Sequence, residues 1–218
     1  MRPASKTTLC LFTNISLVLT LAAALAAPAR SQVEGAAGSQ FQLSSSTVTD
    51  GSTLPISTIN NIVNNGVNGC SIDGSAGGNQ SPDLEWSNAP SNTKTFVVVL
   101  YDVTAAFTHW GMYNIAGTAT GLPTNAGVAG SSFGPQVFND FFTGEEYDGP
   151  CPPVGVTPYT HHYVFTVYAL DATLQLPGSP NFPPSAETLY HALVTAGRDR
   201  HILASARLVG LYSTTPSK

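Results

Sequence analysis

The amino-acid sequence predicts a mainly β fold built as one domain. The chain of 218 residues carries 10% charged side chains against 42% hydrophobic ones, a balance that excludes a disordered chain. Its 20 Gly and 16 Pro favour β structure joined by tight turns. Residues 95–103 (TFVVVLYDV) are apolar on both faces, which is typical of a central strand covered on both sides. The net charge of −5 argues against binding to a nucleic-acid backbone.

The predicted elements follow one another without an internal repeat or a linker. Strands are predicted at residues 41–43, 53–57, 95–103, 109–115, 161–170 and 204–212. One helix is predicted at residues 185–196, because two prolines precede an apolar stripe at helical spacing and Gly197 would end it. Residues 116–160 have little periodicity and many Gly, Pro and Asn, so long loops are expected there. Loops of that length usually carry function.

The first residues have the pattern of a secretory signal peptide. Arg2 and Lys6 precede an apolar stretch whose dense part, residues 17–27, is too short to span a membrane. Small residues then offer cleavage sites, and cleavage after Ala29 defines the predicted boundaries: signal peptide 1–29, leader 30–40, domain 41–213 and tail 214–218. The mature protein is expected to be acidic, exported to the periplasm or the extracellular space, and without a membrane span. An uncleaved membrane anchor is the alternative.

Cleavage of the predicted signal peptide would remove Cys10 and leave two cysteines in the mature chain, Cys70 and Cys151. Two thiols in an oxidising compartment favour a disulfide, which would close a loop of about 80 residues. The alternative is two separate buried thiols. Two distant cysteines without a C-x-x-C spacing do not indicate a metal site.

Several polar side chains lie at predicted strand ends. Because successive strand residues point to opposite faces, His161 and Tyr163 share a face, as do Phe107 and His109 if their strand begins that early. Asp102 closes an apolar strand, where a carboxylate needs a donor such as an imidazole. Such a polar cup could hold an anionic headgroup through imidazoles and loop N–H groups. The alternative is that the histidines are hydrogen-bonded core residues and that Trp86 and Trp110 pack in the core.

Spaced motifs along the chain resemble those of a known family. They are S-P-x-L-x-W at 81–86, a strand ending in Asp102 followed by His109 and Trp110, G-P-C-P-P at 149–153 and H-H-Y-x-F-x-V-Y-A-L-D at 161–171. In this order they resemble the phosphatidylethanolamine-binding protein family, in particular its bacterial Raf-kinase-inhibitor-like branch. The resemblance covers residues 41–213.

The resemblance implies a β-sandwich with Greek-key-like sheets, one C-terminal helix and a shallow anion pocket, and no cofactor. It implies a non-enzymatic protein that binds phosphate, carboxylate or phospholipid headgroups, or alternatively one that inhibits a peptidase or another enzyme through the pocket rim. The Cys70 and Cys151 pair also resembles exported bacterial members. The ligand-binding residues carried over from the family are Asp102, Phe107, His109, Gly149, Pro152, Pro153, His161 and Tyr163.

This chain departs from the family at one motif. Where relatives have D-P-D-x-P, residues 102–106 read Asp-Val-Thr-Ala-Ala, so both prolines and the second acid are lost. A less rigid loop is expected. The predicted pocket also contains no Lys or Arg, which predicts weak anion binding that strengthens as pH falls towards the imidazole pKa.

Two enzymatic alternatives have sequence support. Residues 130–134 match G-x-S-x-G around Ser132, but a nucleophile elbow needs a strand before the serine and a helix after it, and Gly134-Pro135 opposes the helix. Its partners would be His191 or His201 with Asp140 or Asp171. A metal hydrolase could use Asp102, His109 and His161. We expect neither.

Overall fold

The computed structural model describes residues 39–179 and 181–216, which belong to one compact unit. The predicted signal peptide and most of the leader lie outside the described residues. The strands are β1 (Gln42–Ser44), β2 (Ser52–Thr53), β3 (Val63–Asn64), β4 (Val67–Asn68), β5 (Leu84–Ser87), β6 (Thr95–Asp102), β7 (Phe107–Ala116), β8 (Gly121–Leu122), β9 (His161–Leu170) and β10 (Ile202–Tyr212), and the helix is α1 (Ala186–Arg198).

A five-stranded sheet in the order β2-β10-β9-β6-β7 forms the centre of the fold. Its long strands pair antiparallel, and only the short β2 runs parallel to β10. In β6 the side chains of Phe96, Val98 and Leu100 point to one face, and Val97 and Val99 point to the other. Both faces of β6 are covered, as its unbroken apolar sequence predicts.

The inner face of this sheet packs against a three-stranded sheet in the order β1-β5-β8. Phe96 of β6 contacts Trp86 of β5 at a ring-centroid distance of 5.0 Å and Phe41, which precedes β1, at 6.1 Å. These rings join a core of buried apolar residues from both sheets. The predicted β-sandwich is therefore confirmed.

Helix α1 covers part of the outer face. Ser185 begins it with a capping box, in which its hydroxyl accepts from the backbone N–H of Thr188 while the Thr188 hydroxyl accepts from the N–H of Ser185. The helix approaches β7 at Gly111, where an added Cβ would lie 2.6 Å from Cδ2 of Leu189. Gly197 does not end the helix, contrary to the sequence prediction. The chain reverses at Arg200, whose φ is 65°.

Three short elements differ from the sequence predictions. Only Thr53 of the predicted strand 53–57 lies in a strand, since β2 is Ser52–Thr53 and a 3-10 helix at Ile56–Thr58 follows Pro55. The four residues of β5 pair with β1 and β8 but were not predicted as a strand. The region 116–160 is mostly loop, as predicted, and contains the two-residue strand β8.

A disulfide joins Cys70 to Cys151 and ties the hairpin β3–β4 region to the loop that precedes β9. The hairpin turns at Asn65 and Gly66, whose φ values of 51° and 81° are those of a type I′ turn. The predicted disulfide is present. Within the described residues, no helix is long and apolar enough to span a bilayer.

Candidate functional site

The strand register places the predicted pocket residues at one end of the five-stranded sheet. Asp102 ends β6 and lies opposite Phe107 of β7 and Tyr163 of β9. His161 begins β9 beside the last residue of β10. Strand β7 does begin early enough for Phe107 and His109 to share a face, and their rings are 4.9 Å apart.

Asp102 and His161 form a buried pair. Nδ1 of His161 lies 2.6 Å from Oδ2 of Asp102, and the two residues are 5% and 2% exposed. The other carboxylate oxygen, Oδ1, accepts from the backbone N–H groups of Thr104 at 2.8 Å and Ala105 at 3.1 Å. The carboxylate can only accept here, so Nδ1 of His161 carries a proton. The carboxylate thus fixes the orientation of the imidazole.

The loop that departs from D-P-D-x-P is held by backbone contacts instead of prolines. The N–H of Val103 donates to the carbonyl of His162 at 3.1 Å, a bond that a proline could not make. Ala106 has a φ of 55°, which a proline ring cannot adopt. The Thr104 hydroxyl accepts from the N–H of His162. The expected looseness of this loop is therefore offset by hydrogen bonds to Asp102 and to β9.

His109 is 3% exposed and, like His161, is hydrogen-bonded to the protein through its Nδ1 atom. Its Nδ1 lies 2.8 Å from the backbone carbonyl oxygen of Asp148. Burial lowers the pKa of His109, although the hydrogen bond to that carbonyl opposes the shift. The ring packs edge-on against Tyr163 at 5.3 Å and Phe141 at 5.4 Å. The Gly149 backbone also acts to raise the pKa of this ring, and no hydrogen bond of its Nε2 is found among the described residues.

Tyr163 lies between the two histidines and is fully buried. Its ring stacks on that of His161 at 6.3 Å. The Tyr163 hydroxyl is the only buried side-chain polar atom among the described residues without a hydrogen-bond partner. Burial raises the pKa of this phenol, with the Asp102 charge acting in the same direction, so it keeps its proton. A buried, unpaired O–H is expensive unless a ligand or a water satisfies it.

Asp148 supports the site and was not predicted from the sequence. Its buried carboxylate accepts from Asn60 and Asn79 at Oδ1, and from Asn139 and Thr143 at Oδ2. Its backbone carbonyl faces His109, and its N–H donates to the carbonyl of His109. The sequence feature that could have indicated its role is its position, because Asp148 directly precedes Gly149, the first residue of the G-P-C-P-P motif.

The G-P-C-P-P segment fixes the loop beside His109. The N–H of Gly149 donates to Oδ1 of Asn79 at 2.7 Å, and the carbonyl of Pro150 accepts from Asn60 at 3.2 Å. Pro152 is buried, and its carbonyl accepts from the Thr214 hydroxyl, just beyond β10. Pro153 is exposed. These hydrogen bonds and the disulfide fix the position of the loop.

Replacing Gly149 by alanine is expected to lower the melting temperature and weaken ligand binding together. An added Cβ would clash with the Thr58 carbonyl oxygen and lie 2.7 Å from the Asn60 N, and backbone atoms cannot yield as side chains can. Overpacking of this kind costs about 1–3 kcal/mol. Gly197→Ala is the control: its Cβ would meet Ile202 at an ordinary 3.7 Å, and alanine favours a helix, so a small stabilisation is expected. Thermal unfolding of both variants gives the comparison.

The S-P-x-L-x-W motif has a structural role. The Ser81 hydroxyl accepts from Gly127, and the Trp86 indole donates to the carbonyl of Ala119 at 2.8 Å. The Asp83 carboxylate accepts from residues 45–47, and although burial raises its pKa, these hydrogen bonds lower it to about 2. Trp110 is fully buried and donates to Gln136. Both tryptophans are core residues.

The enzymatic alternatives do not match the local structure. Ser132 lies in an exposed bend without a preceding strand or a following helix, so the segment is not a nucleophile elbow. His201 does bond Asp171 at 2.8 Å, a pair that this alternative named, but neither is hydrogen-bonded to Ser132, and His191 lies 3.6 Å from Glu187 on α1. Within the described residues, no group of three or more His, Cys, Asp or Glu side chains is arranged to hold a metal ion.

A separate groove lies on the outer face of the central sheet. Helix α1 and strands β6 and β9 enclose a cavity of about 480 Å³ lined by residues such as Val99, Tyr101, Thr166 and Leu193. None of the predicted site residues lines it. The histidine cluster is instead defined by its chemistry: the imidazoles of His109 and His161 and the phenol of Tyr163 lie together at one end of the central sheet.

A β-sandwich with one C-terminal helix, and a buried Asp–His pair at its strand ends, define a class of small binding domains. The sequence profile described as phosphatidylethanolamine-binding protein matches residues 44–213. The chain belongs to this family.

Proteins from several organisms are similar in sequence to this chain. The chain is 38% identical to a UPF0098 protein of Methanothermobacter thermautotrophicus, over 62% of this chain and 84% of the relative. It is 37% identical to the UPF0098 protein YbcL of Escherichia coli, over 64% of this chain and 74% of the relative. It is also 34% identical to the putative lipoprotein LppC of Mycobacterium tuberculosis, over 62% and 61% of the two chains.

Solved structures show the same fold. The crystal structure of Escherichia coli YbcL, described as a new member of the mammalian PEBP family, superposes with a TM-score of 0.63 at 31% identity, over 80% of this chain and 98% of that one. A phosphatidylethanolamine-binding protein homologue, CT736 of Chlamydia trachomatis, gives a TM-score of 0.58 at 27% identity, over 80% and 97%.

Proposed function

We propose that this chain is a non-enzymatic binding protein for a small anion that presents phosphate or carboxylate oxygens, a phospholipid headgroup included. The observation that carries this proposal is the orientation of the two buried histidines. Each ring engages the protein through Nδ1, which leaves Nε2 of His109 and of His161 to a ligand. The unpaired Tyr163 hydroxyl is a third polar atom for the same ligand.

Each predicted residue has a role in this proposal. Asp102 orients His161, and Phe107 and Tyr163 form the aromatic wall around His109. The loop with Gly149, Pro152 and Pro153 supplies the opposite rim and positions the carbonyl that orients His109. The family name, which refers to phosphatidylethanolamine, supports a ligand with a phosphate group.

We further propose that the mature protein is exported and begins near Arg30, with the binding domain at 41–213. The disulfide within the described residues supports an oxidising compartment, and a relative named as a lipoprotein supports export. Mass spectrometry of the protein isolated from its producing cells gives the mature N-terminus. A chain that retains residues 1–29 would contradict the predicted cleavage.

Titration calorimetry with inorganic phosphate, acetate and phosphoethanolamine tests the binding proposal. The wild type is expected to bind at least one of them, and His109→Ala with His161→Ala is expected to abolish the signal. His162→Ala is the matched control, because His162 is the neighbouring histidine on the exposed face of β9. Unchanged binding in the double histidine variant, or no binding of any anion to the wild type, would overturn the proposal.

A second candidate function is the inhibition of a peptidase or another enzyme through the pocket rim. The loop after Cys151 carries exposed apolar side chains, Val154 at 64%, Val156 at 52% and Tyr159 at 45%. The disulfide connects this loop to the hairpin β3–β4, where Val63 and Val67 are also exposed. Exposed apolar side chains grouped on one surface are typical of protein interaction sites.

Variants at this rim separate the two functions. Val156→Asp with Tyr159→Asp is expected to leave small-anion binding unchanged while abolishing inhibition in a panel of purified peptidases. Absence of inhibition by the wild type across the panel argues against this second function and leaves the anion proposal intact.

A further inference from the structure

We propose that the site selects anions that also carry an acidic hydroxyl group, such as dihydrogen phosphate or the monoanion of a phosphate monoester, over aprotic anions of the same shape. This inference rests on the proposed function and specifies the ligand of the same site. It arises from the hydrogen-bond direction that the protein imposes on His109.

The protein fixes the tautomer of His109. Its Nδ1 faces the carbonyl oxygen of Asp148 at 2.8 Å, and a carbonyl can only accept a hydrogen bond. The proton of the neutral ring is therefore on Nδ1. Since a neutral imidazole holds one N–H, Nε2 presents a lone pair to the ligand. A neutral His109 accepts a hydrogen bond from the ligand instead of donating one.

The surroundings of His109 favour the neutral ring. Burial lowers its pKa, and the aromatic rings of Phe107, Phe141 and Tyr163 surround it. The charged groups that face it, Asp102 and Asp148, act in the opposite direction.

Both carboxylates already have donors of their own. Asp148 accepts from three asparagines and a threonine, and Asp102 accepts from His161 and two backbone N–H groups. Burial therefore dominates, and the net direction of the shift is downward.

The remaining polar atoms require anionic oxygens. The Tyr163 hydroxyl keeps its proton and has no partner within hydrogen-bond geometry among the described residues; the nearby Asp102 carboxylate, which helps to raise its pKa, is the acceptor with which a ligand oxygen would compete for the O–H. His161 donates through Nδ1 to Asp102, so its Nε2 accepts from a ligand hydroxyl when the ring is neutral and donates to a ligand oxygen when the ring is protonated. A ligand with one P–OH and several anionic oxygens satisfies this set, because its hydroxyl meets Nε2 of His109 and its other oxygens accept.

An aprotic anion cannot satisfy the same set. Its oxygen would face the lone pair on Nε2 of His109, and one buried polar atom would stay unpaired. No Lys or Arg side chain of residues 101–170 is available to offset this loss by attracting the anion, since that range contains neither residue. A ligand of lower negative charge is favoured for the same reason. Inorganic phosphate and a phosphate monoester such as phosphoethanolamine share the P–OH chemistry, whereas sulfate and a phosphodiester, the headgroup of an intact phospholipid included, lack it. The proposed ligands are therefore narrowed to free phosphate and phosphate monoesters.

Calorimetric titrations from about pH 5 to about pH 8 compare four probes: inorganic phosphate, phosphoethanolamine, sulfate and glycerophosphoethanolamine. Near pH 5 we expect phosphate or phosphoethanolamine to bind about tenfold more tightly than sulfate and the diester, the effect of one unsatisfied buried group. Their affinity should fall as pH rises through the second phosphate pKa, near 6 for a phosphate monoester. Whichever of the two binds more tightly shows whether the free ion or the monoester is preferred.

The alternative is that protonation of a histidine merely adds positive charge. Sulfate and the diester would then gain affinity at low pH as much as phosphate does, and the four probes would bind alike. That result overturns the inference but preserves the proposed anion site, whereas no binding of any probe overturns the proposed function itself.

Nitrogen-15 NMR of the imidazoles gives a readout independent of affinity. Nε2 of His109 is expected to show the chemical shift of an unprotonated nitrogen at neutral pH and to shift towards a hydrogen-bonded acceptor on adding phosphate at low pH. A protonated Nε2 in the free protein at neutral pH would contradict the fixed tautomer. The wild type suffices for this measurement, so the test does not depend on whether a His109 variant folds.

Discussion

Replacing Cys70 and Cys151 together by alanine is expected to lower the free energy of unfolding by about 4 kcal/mol. The bond joins residues 81 positions apart, so its loss releases a long loop in the unfolded chain. In the folded chain it connects the hairpin region to the segment beside His109. A loss of about 4 kcal/mol corresponds to a melting temperature lower by about 10 °C for a chain of this size.

Denaturant unfolding with and without reductant measures this effect. The reduced wild type should unfold at the same denaturant concentration as the double alanine variant, and reductant should not change the variant. Cys151→Ala alone, which leaves Cys70 unpaired, should have the same free energy of unfolding as the double variant, apart from the contribution of one buried thiol. Equal stability of the oxidised and reduced wild type would contradict a stabilising role for the bond.

Asp148→Ala is expected to destabilise the protein by at least about 3 kcal/mol and to abolish anion binding. Truncation leaves the donors of Asn60, Asn79, Asn139 and Thr143 without their carboxylate in a buried setting. The loop that carries the backbone carbonyl bound to His109 would then lose its anchor.

Two further variants, Asp148→Asn and Glu145→Ala, separate the effect of losing the hydrogen bonds from the effect of losing a negative charge. The asparagine keeps the size and one acceptor but turns an amide NH2 group towards donors, so the stability of Asp148→Asn should lie between those of the wild type and the alanine variant. Glu145 is an exposed carboxylate in the same loop, and its removal changes the net charge equally. If Glu145→Ala destabilised the protein as much as Asp148→Ala, overall charge and not the hydrogen-bond network would be the cause. Thermal unfolding and calorimetry measure both properties.

Local sequence patterns predicted the parts of the fold that depend on local chemistry. The apolar run of β6, the alternation in β9 and the proline-preceded helix each depend on neighbouring residues, and each was found with nearly its predicted bounds. Alternation also placed His161 and Tyr163 on one face. Strand 53–57 was wrong because Pro55 begins a 3-10 turn.

The support of the site depends on contacts that no local pattern reveals. Asp148 accepts hydrogen bonds from residues 60, 79, 139 and 143, which lie in three loop segments far apart along the chain. The altered loop after Asp102 is similar: the lost prolines were visible, but the positive φ of Ala106 and the N–H bonds that replace them were not. The direction of the His109 hydrogen bond likewise follows from tertiary structure alone.

Lys94, Arg198 and Arg200 lie at the end of the central sheet opposite to the histidines, since Lys94 precedes β6 while Asp102 ends it, and the two arginines precede β10 while Tyr212 ends it. Eight residues of strand separate these ends, about 26 Å, well beyond the screening length of about 8 Å at physiological ionic strength. Arg207, the other Lys or Arg among the described residues, lies on β10 five residues before Tyr212, about 16 Å along the strand. Within the described residues, no Lys or Arg therefore provides an attractive long-range field for an approaching anion, and the acidic body repels it weakly. For the proposed anion ligand we therefore expect capture by unassisted diffusion. Added salt should leave its association rate unchanged or raise it slightly, the reverse of the behaviour of sites lined with lysine or arginine.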